Sequence, residues 1–247
     1  MAEPRPHVDA ILLDIDDTLV DTRRAFFAAV RAVSSTWLGH LASEHHDEVA
    51  RRWIADVGGH FRTYTRGEIS IEEQRRRRAA DLQRTFGGAD LDDEQFAAWY
   101  AAYDAAFRSS WRLHDDVIAL LDALDRARVP TGALTNSSRD LSVAKLARLG
   151  LTERLPLLVS PDDLGFGKPD PRVFLLACER LGSEPGRTAY VGDELDVDAQ
   201  GAVAAGLVGI WLARGRSAPG SQDGVLVASR LGDLLDLVDL GGPSARR

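Results

Sequence analysis

One stretch, Ala10-Ile-Leu-Leu-Asp-Ile-Asp-Asp-Thr-Leu-Val20, limits what this chain can fold into more than any other. Its apolar start reads as a short buried strand. Its exit gathers Asp14, Asp16 and Asp17 within four residues, followed by Thr18. Side chains alternate along an extended chain, so Asp14 and Asp16 share one side and Ile15 faces the other. Like charges that close repel by about 4 kcal/mol per pair at an effective dielectric of 20. A buried strand ending this way is expected to need a cation or a proton. The competing reading is a solvated acidic loop.

Three later segments favour the site over the loop. Thr131-Gly-Ala-Leu-Thr-Asn136 is a second apolar run, ending in Thr135 and Asn136. Gly165-Phe-Gly-Lys-Pro-Asp-Pro171 is a loop centred on Lys168. Thr188-Ala-Tyr-Val-Gly-Asp193 is a third apolar run, followed by Asp196 and Asp198. From Trp111 onward, short apolar strands alternate with helices, which implies a parallel sheet covered on both faces. Ligands of such sheets sit at the carboxyl ends of the strands. Asp14, Thr135 and Asp193 lie at such ends, and Lys168 follows one.

Local signals set the elements. Asp21 and Thr22 are expected to cap a helix whose apolar positions are Phe26, Phe27, Val30 and Val33. Asp115 or Asp116 is expected to cap a helix through Leu124, and Ser137 or Ser138 one that ends at Gly150. Leu157 to Val159 reads as a strand. Asp170, Pro171 and Gly182 mark the cap, first turn and end of another helix. Thr188 to Val191 leads into a helix ending at Gly206, and Val208 to Leu212 reads as the next strand. Between Asp21 and Trp111 the pattern is helical and rich in aromatics, broken at Gly58-Gly59 and Gly87-Gly88. The four arginines Arg75 to Arg78 point around most of a helix, so a solvated face paired with Glu72 and Glu73 is expected. The fold class is therefore α/β, a doubly wound parallel-sheet (Rossmann-like) core of residues 1–20 and 112–240. Residues 21–111 form an inserted helical segment, and 241–247 a frayed tail.

These motifs, in this order, resemble the haloacid dehalogenase (HAD) superfamily. Asp14-x-Asp16-x-Thr18 is similar to its first motif, Thr135 to the second, Lys168 to the third, and Gly192-Asp193 through Asp198 to the fourth. The likeness runs from Val8 to about Leu212 and is weak between about Thr22 and Trp111. It implies that the helical insertion is a C1-type cap, hinged at Asp21/Thr22 and Trp111/Leu113. It also implies Mg²⁺ held by Asp14, the backbone carbonyl of Asp16, and Asp193. Asp14 is the expected nucleophile and Asp16 the expected acid and base. Thr135, the Asn136 backbone N–H and Lys168 are expected at the phosphate, and Thr18 and Asp198 behind them. Asp196 and Glu194 are weaker candidates, and Gly192 is expected to let the chain approach the metal. The dehalogenase and phosphonatase branches lack an acid at the position of Asp16. Phosphonatases use a cap lysine, and residues 22–111 contain none. The expectation is a Mg²⁺-dependent phosphomonoesterase for a small phosphorylated metabolite. The alternatives are a phosphomutase on a sugar phosphate, a receiver-type phospho-accepting domain, and a non-catalytic phospho-ligand-binding protein. Arg62, Tyr64 and Arg66 are the cap residues expected to face a substrate.

Composition removes other classes. A net charge of -8 argues against a nucleic-acid binder. No run approaches the ~20 apolar residues of a membrane span, and no secretory signal is visible. The single cysteine, Cys178, lies in an apolar helical pattern and reads as core. A reducing, cytoplasmic setting is expected, as a monomer or homodimer.

Overall fold

The computed structural model describes residues 4–65, 68–217 and 224–241. The chain divides into two compact units, Met1–Asp21 with Leu113–Arg247, and Thr22–Arg112.

The first unit opens with β1 (His7–Val8) and β2 (Ala10–Leu13). The chain then builds the second unit from α1 (Thr22–Trp37), α2 (His45–Ile54), α3 (His60–Thr65), α4 (Ile71–Thr85) and α5 (Asp93–Ser109). The first unit resumes with α6 (Val117–Ala127), β3 (Thr131–Leu134), α7 (Arg139–Arg148), β4 (Leu157–Val159), α8 (Pro171–Leu181) and β5 (Thr188–Gly192). It closes with α9 (Gly201–Ala204), β6 (Val208–Leu212), β7 (Leu226–Ala228), α10 (Leu234–Leu237) and β8 (Asp239–Leu240).

The main sheet has the order β4-β3-β2-β5-β6-β7, and all of its pairings are parallel. β2 lies inside it, with Leu13 registered to Ala133 of β3 and Val191 of β5. Every residue of β2 is buried, as a parallel strand covered on both faces requires. Leu12, Leu134, Val159, Phe174 and Tyr190 form one packed cluster with Cys178, the buried free thiol. Burying each large apolar side chain contributes about 1.5–3 kcal/mol. Because β2, β3 and β5 are in register, their carboxyl ends deliver Asp14, Thr135 and Asp193 to one edge of the sheet.

Several local signals act as the sequence implies. The Asp170 carboxylate accepts from the Arg172 N–H at 3.0 Å, Pro171 fills the first turn of α8, and Gly182 ends it at φ 71°. Asp116 does not cap α6. Its backbone is already helical, and its carboxylate instead accepts from Arg214 at 3.1 and 3.2 Å and from the Leu231 N–H at 2.8 Å. The helix expected to run regularly to Gly206 begins as a wide π-helical turn, Leu195–Gln200, and only then tightens into α9. Such bulges recur at functional sites. Gly241, expected to belong to the frayed tail, is tied to the first strand. β8 pairs with β1, and the Gly241 N–H donates to the Val8 carbonyl at 2.8 Å. Residues 242–247 lie outside the described residues.

In the second unit, both glycine pairs fall between helices, as their spacing predicts. Ser70 caps α4, and Asp92 with Gln95 forms a reciprocal cap on α5. Trp99, Tyr103 and Phe107 stack in series, and Trp53 packs against them at a tilt to complete its aromatic core. The arginine run is not the solvated face that helical spacing implies. Only Arg77 follows that pattern, pairing with Glu73 at 2.6 Å. Arg75, Arg76 and Arg78 lie over the rings of Tyr100, Phe96 and Trp53 at 4.7, 4.3 and 3.7 Å. α4 carries few apolar side chains, and guanidinium planes cover the aromatic core in their place. Burial brings Arg78 down to about 10, against the pull of Tyr103 and Asp56. Among the described residues, no helix is long and apolar enough to cross a membrane.

Candidate active site

Asp14 leaves β2 with its N–H donated to the Val191 carbonyl at 2.9 Å, so the sheet ladder itself aims the side chain. Its Oδ1 accepts from Lys168 Nζ at 2.7 Å. Its Oδ2 accepts no hydrogen bond among the described residues. Lys168 also donates to Asp198 Oδ1 and to the Tyr190 hydroxyl, each at 2.7 Å. All three ammonium hydrogens are therefore used, and the expected contact of Lys168 with a phosphate requires one of these acceptors to yield. Burial pushes Asp14 well above the usual carboxylate range, and Asp198, Asp16 and Asp193 add to that rise while Lys168 opposes it. For Lys168, burial is outweighed by the two carboxylates, and its pKa rises.

Asp193 follows β5, and burial with the nearby charges of Asp17 and Asp198 pushes it up to about 7 despite Arg216. Its carbonyl accepts from Trp211 Nε1 at 2.9 Å and from Arg216. Asp198 sits behind Asp14. One oxygen holds Lys168, and the other accepts the Glu194 N–H at 3.0 Å across the π-helical turn. Gly192 makes room for Asp198, not for a ligand: a Cβ there would fall on the Asp198 carboxylate. Asp196 and Glu194 face solvent.

Thr135 is buried, and its hydroxyl oxygen accepts from the Ser137 N–H at 3.1 Å, which leaves its proton to donate. The Asn136 side chain has a role that the motif does not announce. It accepts from the Lys168 N–H at 2.7 Å and donates to the Lys168 carbonyl at 2.9 Å, clasping the lysine loop. The Thr18 hydroxyl is buried and finds no partner among the described residues. Its carbonyl is the atom used, accepting from Arg214 at 2.6 Å. Of the expected cap residues, Arg62 is exposed and lies 3.9 Å from Asp56, Tyr64 packs beside Phe61, and Arg66 lies outside the described residues.

Asp16 points beside Asp14, but its carboxylate is held elsewhere. Ser137 Oγ donates to Oδ2 at 2.6 Å, and Lys145 Nζ, fully buried on α7, donates to Oδ1. Sequence reasoning missed Lys145, Ser137 and Tyr190. One available signal was lysine rarity. Of 30 lysines and arginines, only Lys145 and Lys168 are lysines, and both are buried against site carboxylates.

The sequence model of the haloacid dehalogenase-like hydrolases matches residues 8–206, which carry all four of these segments. The chain belongs to that family. Among relatives, the glyceraldehyde 3-phosphate phosphatase of Methanopyrus kandleri is 30% identical over 245 residues, 94% of this chain and 97% of its own. The phosphoserine phosphatase of Thermus thermophilus is 36% identical over 239 residues, covering 83% and 88% of the two chains. The crystal structure of the HAD-hydrolase YfnB of Bacillus subtilis, bound to magnesium, shares the fold with a TM-score of 0.77 at 21% identity. The match covers 95% of this chain and 100% of that one.

This hydrolase has a donor set that fits a divalent cation. Asp14, Asp193 and Asp198 each bring a carboxylate oxygen within 4.8 Å of the others, and all three are buried. Together with Asp16 they make four carboxylates against two buried ammonium groups. Arg216 stands 3.3 Å from Asp193, but its side chain is 37% exposed and screened by water. Once ionised, these acids outnumber the cations and Asp17 adds to the excess, and such a set of hard oxygen donors suits a divalent cation such as Mg²⁺. Asp198 already has protein donors on both oxygens, so Asp14 and Asp193 are the better ligands.

Proposed function

We propose that this HAD-like hydrolase is a Mg²⁺-dependent phosphatase of a small phosphorylated metabolite, working through an aspartyl-phosphate on Asp14. The observation that carries the proposal is the pair of states of the first two acids. Asp14 has one oxygen fixed by Lys168 and the other unengaged, as an in-line nucleophile needs. Asp16, two residues on, is held separately as a proton carrier.

In the first step Asp14 Oδ2 attacks phosphorus, the ester P–O bond breaks, and Asp16 gives its proton to the leaving oxygen. In the second, Asp16 takes a proton from water as the water oxygen bonds to phosphorus. The Asp14–phosphorus bond breaks, and phosphate leaves. The Thr135 hydroxyl and the Asn136 N–H would bind phosphoryl oxygens, while Lys168 keeps Asp14 aligned. A Mg²⁺ held by Asp14, Asp193 and the Asp16 carbonyl would supply charge neutralisation for the phosphoryl group.

Asp16 favours an alkoxide leaving group over halide, and the lysine-free helical unit argues against phosphonate chemistry. The two relatives above act, by name, on small phosphorylated compounds, which supports a metabolite substrate. We take the helical unit to be the substrate-selecting cap, with Arg62, Tyr64 and Arg66 as candidates. The test is turnover of a panel of phosphorylated metabolites and p-nitrophenyl phosphate with Mg²⁺, against an EDTA control. Asp14→Asn should lose about 10⁴-fold or more of the activity while keeping the wild-type circular dichroism. Wild-type turnover by Asp14→Asn, or turnover undiminished in EDTA, would overturn the corresponding part of the proposal.

A further inference from the structure

We infer that Lys145 is a positioning residue: with Ser137 it fixes Asp16 so that one carboxylate oxygen stays a pure acceptor and the other carries the exchanged proton. This rests on the assignment of Asp16 as acid and base, and adds which oxygen acts and what holds it.

The argument begins with cost. Lysine is almost never fully buried unless paired, and Lys145 has a side chain only 1% exposed on α7. Its Nζ reaches Asp16 Oδ1. From the end of β3, Ser137 Oγ reaches Oδ2 at 2.6 Å. The two partners differ in what they permit. An ammonium has three donors and no acceptor, whereas a hydroxyl both donates and accepts. Oδ1, facing the ammonium, cannot carry a proton toward it. Oδ2, facing the hydroxyl, can, because Ser137 turns to suit either form. The proton given to the leaving oxygen as the ester P–O bond breaks therefore departs from Oδ2. The proton removed from water as its oxygen bonds to phosphorus returns there.

The choice of lysine supports this reading. Apart from Lys145 and Lys168, the 30 lysines and arginines of this chain are all arginine. A guanidinium would grip both carboxylate oxygens in a fork and place its charge against the oxygen that must carry the proton. A point charge grips one. Lys145 is thus one of only two positions where this chain uses the narrower cation, and the other, Lys168, holds a single oxygen of Asp14 in the same way.

The experiment compares kcat/KM of wild type, Lys145→Met and Lys145→Arg on aryl phosphates with Mg²⁺, from 2,4-dinitrophenyl to phenyl phosphate. Phenolate, with a tyrosine-like pKa of about 10, needs the proton, and dinitrophenolate leaves without it. General acid catalysis contributes about 10²–10⁴-fold. Both variants should therefore lose about 10²-fold on phenyl phosphate and less than about 10-fold on the dinitrophenyl ester. If charge balance alone mattered, Lys145→Arg would behave as wild type. Equal losses on every leaving group, no loss, or full rescue by arginine overturns the inference. Should Lys145→Met not fold, Ser137→Ala deletes only the hydroxyl and must steepen the same dependence, and an unchanged slope overturns the inference too. A wild-type enzyme inert toward every aryl phosphate would instead sink the phosphatase proposal itself.

Discussion

Replacing Lys168 with methionine keeps most of the side-chain volume and removes one charge from an enclosed ion cluster. Lys168, Asp14 and Asp198 have side chains only 3%, 6% and 2% exposed, and both contacts are 2.7 Å. Breaking a buried pair costs about 3–5 kcal/mol, because the abandoned charge stays buried. Here two carboxylates are abandoned together, which puts the expected loss near the top of that range, about 4–5 kcal/mol. For a chain of this size each kcal/mol moves Tm by about 2–4 °C, so the transition should fall by roughly 8–20 °C. Lys145→Met is the internal comparison. Its partner Asp16 has a side chain 28% exposed, so water takes up part of the orphaned charge and the cost should be about 1–2 kcal/mol. The assay is thermal and urea unfolding of the metal-free protein at pH 7.5 and at pH 5. Lys168 is the charge that opposes the rise at Asp14, so without it Asp14 holds its proton higher still. The folded state then binds more protons than the unfolded one, and the penalty is greatest at neutral pH and shrinks on acidification. Mg²⁺ should restore more stability to the variant than to wild type. A loss below about 1 kcal/mol, or one that deepens as pH falls, would refute the reasoning.

Two further outcomes are expected. Asp193 is pushed from an ordinary value near 3.8 up to about 7, so the folded, metal-free protein holds a proton that the unfolded chain releases. Its urea midpoint should therefore fall as pH rises from about 4 to 7, a trend that Asp193→Asn weakens to the part due to Asp14, whose carboxyl is also raised, and that saturating Mg²⁺ flattens. A midpoint that climbs across this window would contradict the assignment. Gly192→Ala places a methyl on the Asp198 carboxylate and should cost about 1–3 kcal/mol while lowering kcat, because Lys168 loses its second anchor. Wild-type stability and kcat in that variant would show that Asp198 has room to move.

Asp14, Thr135 and Asp193 were legible because each stands at the exit of an apolar strand within its own short segment, and Lys168 because it centres a Gly/Pro-rich loop. What their neighbours do was not. Asp116 reads locally as a helix cap, yet Arg214, 98 positions later, and the Leu231 N–H claim its carboxylate. Arg75 to Arg78 read as surface because helical spacing says nothing about aromatic rings on another helix. Lys145 and Ser137 looked like an ordinary helix residue and a possible cap. Only the pairing of β2 with β3 brings them to Asp16, across more than a hundred positions. Local chemistry is written in local sequence, while the partner that tunes it is set by strand order.

The place of β2 between β3 and β5 has a consequence for biosynthesis. Residues 10–13 leave the ribosome well before their partners at 131–133 and 188–191. At about 5–20 residues per second, an aliphatic segment that will be wholly enclosed waits on the order of ten seconds or more for its second neighbour. The intervening residues 22–112 form a compact unit of their own and can collapse in that interval. The strand that bears Asp14 is thus among the last to be locked in place, and for that time it is a natural target for chaperones.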